Sequence, residues 1–225
     1  LDSRKLKKAL KNTKEKKLYN VFKSSKYDEI SYKEDKESFI DKYNSLGYRD
    51  AKIIRDSVYR FDDKTINIDI EVEEGHKYFF RNITWVGNTK YSSKELSSRL
   101  GIKKGDVYNQ KLLNNNLYMS PDARDVSSLY LDDGYLFFNA MPIEILIDND
   151  SIDLEIRINE GKQAIINKIT IVGNDKTNDH VIIREIRTKP GQLFNRSDII
   201  RSHRELAQLR YFNAEKLNVV PKPNP

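Results

Sequence analysis

The stretches TINIDIEVEEG (65–75) and SIDLEIRINEG (151–161) match place for place at a spacing of 86 residues. In both stretches apolar residues alternate with polar or charged ones, which is the period of two expected of a half-buried β-strand. One face of such a strand meets a core and the other meets water. The repetition in the same phase predicts consecutive modules, each with a sheet that carries helices on one face only.

The repeat extends beyond this strand. FRNITWVGN (80–88) aligns without gaps on INKITIVGN (166–174), and SSKELSSRLGIKKGDVYN (92–109) aligns on NDHVIIREIRTKPGQLFN (178–195). The first pair predicts a strand that ends at a Gly-Asn turn, and the second predicts a short helix with a Gly-bearing exit. Asn109 and Asn195 stand where a second helix should begin, because Asn is a favoured N-cap.

Each second helix leads into an aromatic stretch, which reads LGYRDA (46–51), DGYLFFNA (133–140) or LRYFNA (209–214). The extended segment after the middle stretch contains Pro142, which cannot donate to a ladder and therefore predicts an edge strand. The middle repeat also has 12 extra residues, which we place in a loop near 119–128. The predicted modules are 1–75 with its first strand missing, 76–161, and 162–225 with its last strand missing. These incomplete ends predict a larger parent protein.

Composition excludes several classes of function. The 225 residues carry a net charge of +6, but Lys and Arg are interleaved with nearly as many acids, so we predict no nucleic-acid partner. The absence of cysteine excludes disulfides and most structural zinc sites. There is no HExxH motif, no Gly-rich phosphate loop, and the three histidines fall at unrelated positions of the repeat. We therefore predict no catalytic residue, no metal and no cofactor.

The N-terminal segment is strongly basic, with eight Lys or Arg residues between Arg4 and Lys17. Leu6, Ala9 and Leu10 give this segment an apolar side, which predicts an amphipathic helix packed on its sheet. Binding to an anionic membrane surface is the alternative. No apolar run in the chain approaches the roughly 18 residues that span a bilayer.

The recurring elements resemble those of POTRA (polypeptide-transport-associated) domains: the strand-end GN, the helix exits GDVYN (105–109) and GQLFN (191–195), the aromatic stretch, and a closing strand that ends in acid-Gly. The resemblance covers essentially the whole chain, and the tandem array is similar to the periplasmic arm of the BamA family of outer-membrane β-barrel assembly factors. It implies an α+β fold of tandem β-α-α-β-β modules, each with a three-stranded mixed sheet and two helices on one face.

The resemblance also implies a function. We expect a non-catalytic scaffold on the periplasmic side of the bacterial outer membrane, which captures unfolded outer-membrane protein strands and accessory lipoproteins by β-augmentation. The membrane contact would be a C-terminal barrel that this chain does not contain. An unpaired sheet edge binds another strand through main-chain bonds. We expect these edges at about 48–58 and 135–147, and about half of the residues along them to face the core. The candidate binding residues are Tyr48, Ile53, Tyr135, Phe137, Ile143 and Ile145.

Two alternatives remain open at this point. The chain could belong to a related outer-membrane translocation or two-partner secretion transporter, although such transporters typically have two POTRA units and this chain has three repeats. It could also act mainly as a rigid spacer that positions the barrel, with the short junctions EEGHKYFF (73–80) and NEGKQAII (159–166) fixing the orientation of the modules.

Overall fold

The computed structural model describes residues 3–15, 26–120, 122–213 and 215–222. The helices are α1 (Ser3–Lys7), α2 (Glu29–Ser45), α3 (Ser93–Leu100), α4 (Gln110–Asn114), α5 (Val126–Asp132), α6 (Asp179–Glu185) and α7 (Arg196–Gln208). The strands are β1 (Lys52–Arg60), β2 (Ile66–Glu73), β3 (Phe79–Val86), β4 (Asn139–Asp148) and β5 (Ser151–Asn159). The middle repeat therefore has its strands and helices in the predicted order, which confirms the α+β class.

The chain divides into two compact units. Unit 1 contains Leu1–Ile83, Ile102–Leu113 and Glu144–Leu154, and unit 2 contains Thr84–Gly101, Asn114–Ile143 and Glu155–Pro225.

An antiparallel hairpin of β1 and β2 forms the sheet of the first module. Ile53 lies opposite Val72, and these two residues pack with Ile70 against a core that includes Phe39 and Tyr43 of α2. The pairing is irregular between Ile53 and Arg55, where an extra residue forms a β-bulge. Among the described residues this sheet has two strands.

The basic N-terminal helix is shorter than predicted. Helix α1 ends at Lys7, because the carboxylate of Asp35 in α2 accepts the backbone N–H groups of Lys11, Asn12 and Thr13 at 2.5–3.1 Å. Burial alone would raise the pKa of Asp35, but these backbone donors outweigh it and hold the pKa below its ordinary value. The predicted helix is wrong for residues 8–15, and residues 16 and 17 lie outside the described residues.

The middle module has a three-stranded sheet in the order β3-β5-β4. A two-residue turn joins β4 to β5, so this pair is antiparallel. Strand β3 runs parallel to β5: the N–H of Phe79 donates to the carbonyl of Asp150 at one end, and Gly87 lies against the carbonyl of Ile158 at the other. The sheet is therefore mixed, as predicted. Its central strand buries Ile152, Leu154, Ile156 and Ile158.

The extra residues of the middle module are partly helical. The side chain of Asn109 accepts the N–H of Leu112 at the start of α4, which confirms its predicted capping position, and a π-helical turn at Asn115–Met119 continues this helix. Helix α5 then begins at Val126, where Asp125 accepts the N–H of Ser128 at 2.8 Å. Of the loop predicted near 119–128, only residue 120 and residues 122–125 are described as non-helical.

The third module departs from the predicted strand pattern. Asn195 caps α7 as expected, with its side chain accepting from the N–H of Asp198 at 2.9 Å. However, residues 166–174 are not a strand, and the pairing nearby is a single bridge between Ile165 and Leu193. The same sequence pattern forms β3 in the middle module because β5 lies beside it. The described part of the third module offers no such neighbour, and Val172 is 85% exposed.

Candidate protein-binding edges

Strand β4 is an edge strand, since it lies at the end of the sheet order and no strand of the described residues pairs with its outer side. Its residues alternate between two faces. Ala140, which is 1% exposed, marks the face toward the core. The strand carries four apolar residues at alternate positions, which we call the β4 stripe: Met141, Ile143, Ile145 and Ile147. Three of these four side chains are about half exposed, at 45–54%. Edge pairing and apolar contact are therefore available at the same place.

Strand β1 occupies the same place in the first module but has a different outward face. Lys52 pairs with Glu73 at 2.7 Å, Arg55 pairs with Glu71 at 3.4 Å, and Tyr59 donates to Asp69 at 2.9 Å. The bulge at Ile54 also interrupts the regular spacing of the edge. Charged side chains and bulges both hinder the addition of another strand. The sequence pattern predicts a binding edge at both β1 and β4, whereas the structure shows that the two strands differ in side-chain charge and in regularity.

The six predicted binding residues lie in three kinds of environment. Tyr48, Tyr135 and Phe137 precede β1 or β4 rather than lying within them. Tyr48 and Ile53 pack against the core of the first module, and Tyr135 makes an edge-on contact with the Tyr130 ring, with centroids 5.8 Å apart. Phe137 is 55% exposed in the turn before β4. Ile143 and Ile145 lie in the β4 stripe. Binding by any of the six stays a prediction.

Other features of the edge could not be identified from the alternation of residue types. Met141 and Ile147 complete the stripe, and Leu146, on the opposite face, is also 51% exposed. The second half of β4 thus exposes apolar side chains on both faces. The sequence signal was available as the run IEILI (143–147), but the sequence alone does not show how much of this run is exposed.

Glu144 of β4 contacts two other side chains of unit 1. Its carboxylate accepts the Tyr108 hydroxyl at 2.8 Å and contacts the guanidinium of Arg49 at 2.6 Å. We call these three side chains the Glu144 clamp. Tyr108 is 3% exposed, and its burial, together with the bond to Glu144, raises the pKa of the phenol. The Glu144 carboxylate therefore accepts a hydrogen bond from a neutral hydroxyl and also contacts a guanidinium.

A second ion pair stabilises the outward face of the middle sheet. The guanidinium of Arg81 on β3 binds both carboxylate oxygens of Asp153 on β5, at 2.8 and 2.9 Å, and also contacts Asp148 at 2.8 Å. Asn82 donates twice more to Asp153. The bond from Arg81 is the main reason that the pKa of Asp153 lies below its ordinary value. This carboxylate is therefore ionised at neutral pH.

The two junctions between repeats use the same backbone bonds. In unit 1, Tyr78 N–H donates to Gly47 C=O, and Tyr108 N–H donates to Tyr78 C=O. The repeat-equivalent bonds in unit 2 join Ala164 to Gly134 and Phe194 to Ala164. The capping side chains also match, because the amide groups of Asn109 and Asn195 donate to carbonyls of Ser45 and Asp132. Each junction is thus fixed by hydrogen bonds that recur with the repeat.

Among the residues that the structure describes, no group of three His, Asp or Glu side chains is arranged to hold a metal ion. Within the same residues, no helix has the length and apolar character required to cross a membrane.

Comparison with known families identifies the repeats. The family described as "POTRA: Surface antigen variable number repeat" matches residues 1–75, 78–161 and 164–225. Among curated relatives, a putative outer membrane protein assembly factor of Treponema pallidum is 29% identical over 88% of this chain and 24% of its own length. Outer membrane protein assembly factor BamA of Neisseria meningitidis is 27% identical over the same shares. The chain therefore spans about a quarter of these relatives.

The fold has a counterpart among solved structures. The crystal structure of Haemophilus influenzae BamA POTRA3-5 superposes with a TM-score of 0.71 at 21% sequence identity, covering 94% of this chain and 82% of the other. That similarity supports the fold. The family matches along the three repeats show that the chain belongs to the POTRA family.

Proposed function

We propose that this chain is a non-catalytic scaffold that captures extended segments of unfolded outer-membrane proteins by β-augmentation on β4. The observation that carries the proposal is the open edge of β4 together with its exposed apolar stripe. An edge of this kind binds through main-chain bonds and accepts many sequences, while alternate side chains of the ligand add apolar contact. The names of the relatives, as outer membrane protein assembly factors, favour this class of ligand.

The energetics predict weak capture. Five added main-chain hydrogen bonds at roughly 0.5–1.5 kcal/mol each contribute about 3–7 kcal/mol. Association itself costs roughly 4–15 kcal/mol in lost freedom of motion. Main-chain pairing alone is therefore too weak for stable binding, and contact with the β4 stripe has to supply the remainder. Weak, sequence-tolerant binding suits a scaffold that passes its clients onward.

The same proposal places the chain on the periplasmic side of the outer membrane. Its further partners are accessory outer-membrane lipoproteins, and a C-terminal barrel in the parent protein supplies the membrane contact. A lipoprotein that remains bound needs more than an added strand, because tight binding requires side-chain anchors as well. The predicted absence of catalysis belongs to this proposal.

Binding of a synthetic peptide tests the proposal. The probe is an 11-residue peptide of alternating Val and Thr with a Lys at each end, titrated into the chain while backbone amide signals are followed. We expect the largest changes at β4 residues 143–147. The matched control is the same peptide N-methylated at every second residue, which keeps the side chains but removes the donors on one edge. Equal binding of both peptides, or changes that bypass β4, would contradict the proposal.

A structural role as a spacer is the second candidate, and the repeated junction bonds favour it. Gly47 has a φ of +96°, and a Cβ at this position would lie 2.6 Å from Val107. The first junction thus requires a residue without a side chain. If the junctions serve to hold neighbouring repeats, Gly47→Val should increase hydrogen exchange at the amides of Tyr78 and Tyr108. Unchanged exchange would argue against this role.

A further inference from the structure

The exposed half of β4 begins directly after the Glu144 clamp. Glu144 is partly covered, whereas residues 145–148 that follow it are all exposed. Ile145, Leu146 and Ile147 are 52%, 51% and 45% exposed, although their side chains point to alternate faces. Glu144 is therefore the last residue of β4 that is held from the core side. Beyond it, β5 is the neighbouring strand, and Asp148 at the end of β4 contacts Arg81 of β3 at 2.8 Å.

The clamp combines groups from two repeats within unit 1. Tyr108 comes from the middle repeat, and Arg49 comes from the aromatic stretch that ends the second helix of the first repeat. Arg49 is itself supported, because its guanidinium lies over the Tyr78 ring at 6.0 Å and Tyr78 donates to Asp50 at 2.6 Å. The guanidinium of Arg49, which contacts Glu144, is thus held in position by Tyr78, whose ring is itself oriented by Asp50.

A fixed edge strand binds a ligand strand better than a mobile one. Ordering the backbone of one residue costs roughly 1–2 kcal/mol, and a strand that is mobile before binding loses this amount from its affinity. Residues 145–147 are each about half exposed, at 45–52%, and their side chains alternate between the two faces. Their order depends on β5 and on the held residues at the two ends of the segment, Glu144 and Asp148. Any group that holds Glu144 therefore affects the adjacent docking segment.

We propose that Arg49 is a positioning residue for strand capture at β4 and acts through Glu144. The docking edge of the middle module is then complete only when the exit turn of the first module is in place. This inference rests on the proposed capture of strands at β4. It assigns to Arg49 a role in the order of residues 145–147 and none in direct contact with the ligand.

The second junction provides an internal comparison. Aligning the glycines of LGYRDA and DGYLFFNA places Leu136 at the position of Arg49, and the 86-residue spacing places Phe194 at the position of Tyr108. Neither residue can donate to a carboxylate. The backbone bonds of the junction recur, but the clamp does not. The polar groups at the first junction are therefore not required simply to join two repeats.

The test compares Arg49→Ala with two matched variants. Arg49→Lys restores the cation, and Arg55→Ala removes an exposed arginine from neighbouring β1. Affinity for the alternating Val/Thr peptide and hydrogen exchange at residues 145–147 are measured for each protein, with the melting temperature as a check on folding. We expect Arg49→Ala to weaken peptide binding about fivefold, the size expected for a partly exposed ion pair, and to speed exchange at residues 145–147. Arg49→Lys should recover most of the affinity, and Arg55→Ala should resemble the original chain.

The outcomes separate this inference from the proposed function. If the peptide binds β4 equally well in the original chain and in Arg49→Ala, with unchanged exchange at residues 145–147, the role of Arg49 is refuted while strand capture stands. If the peptide does not bind β4 in the original chain, strand capture is refuted. Tyr108→Phe gives an independent check, because it removes the other donor to Glu144 while preserving the ring, and it should shift exchange in the same direction.

Discussion

Strands β1 and β4 occupy the same place in successive repeats, yet they present opposite surfaces to an incoming strand. The outward face of β1 carries Lys52 and Arg55, both paired with acids of β2, and a bulge interrupts its edge. Strand β4 carries the apolar stripe instead, and Ile145, Leu146 and Ile147 in its second half are each about half exposed. The position of a strand in the fold therefore provides an unpaired edge, whereas the side chains and the regularity of the strand decide whether another strand can bind there.

The physical basis of this difference is the cost of desolvation. A strand added at β1 would cover charged side chains that are already satisfied by water and by one another, and burying a charge without a good partner is unfavourable. A strand added at β4 would cover apolar side chains, which gains roughly 25 cal/mol for each Å² removed from water. The same main-chain bonds therefore give different net affinities at the two edges.

Charges introduced into the β4 stripe should have the largest effect. The double substitution Ile145→Lys and Ile147→Lys should weaken binding of the alternating Val/Thr peptide at least tenfold, because it places two charges where the ligand would lie. Fluorescence anisotropy of a labelled peptide measures this loss. The matched variant carries Ser57→Lys and Tyr59→Lys on the outward face of β1 and should bind normally. A similar loss in both variants would show that the two edges do not differ.

The reverse change should produce a smaller gain at β1. Deleting Ile54 removes the bulge, and Arg55→Ile with Ser57→Ile gives the outward face two apolar residues like those of β4. We expect a second peptide-binding edge whose affinity is severalfold weaker than that of β4, because Lys52 and Tyr59 remain. Chemical-shift changes at residues 55–59 on addition of the peptide would show it. Binding that remains confined to β4 would mean that the outward face does not control access.

Acid should affect the two sheets differently. Arg81 lowers the pKa of Asp153, so this carboxylate stabilises the middle sheet fully above about pH 4, the ordinary Asp range, and the contribution is lost as the pH falls through the lower folded pKa. The repeat-equivalent residue in β2 is Asn67, which does not titrate. The protection factors of the β5 amides, which correct for the intrinsic pH dependence of exchange, should therefore fall below pH 4. In Asp153→Asn, protection of the β5 amides should depend much less on pH. If the pH dependence is unaltered, other titrating groups are responsible for it.

The charges on β1 should matter least for stability. Lys52 and Glu73 are both more than half exposed, and exposed ion pairs contribute little because water already solvates them. Lys52→Gln should leave the melting temperature unchanged within error, both at low salt and at 0.5 M NaCl. A clear loss of stability would mean that this pair holds the hairpin together, and the role of β1 charges would then extend beyond blocking the edge.

The alignment of the repeats predicted much of the fold, because alternating apolar residues and capping residues determine the secondary structure of their own segments. The β5 pattern, the N-caps Asn109 and Asn195, and the edge position of the strand containing Pro142 all agree with the structure. The early end of α1 could not be predicted, because it depends on Asp35, more than twenty residues away. Residues 166–174 have a strand pattern without the neighbouring strand that makes the pattern effective.

The candidate site was less predictable for the same reason. Alternation identified Ile143 and Ile145, but it could not show that Glu144 is held by Tyr108 and Arg49, which are 36 and 95 residues away in the chain. The bulge at Ile54 leaves no recognisable signal in the run KIIRDSVYR (52–60). Arg49 also appears unremarkable in sequence, because its partner Glu144 is 95 residues further along the chain.

The most direct test of the account is an intermolecular crosslink at the two edges. A photoreactive residue placed at Ile145, and in a second protein at Ser57, would be irradiated with an unfolded outer-membrane protein present. We expect crosslinks from position 145, whose yield falls when the alternating Val/Thr peptide is added, and few crosslinks from position 57. Equal crosslinking at both positions, or none at position 145 in a folded chain, would contradict the claim that β4 is the edge that captures clients.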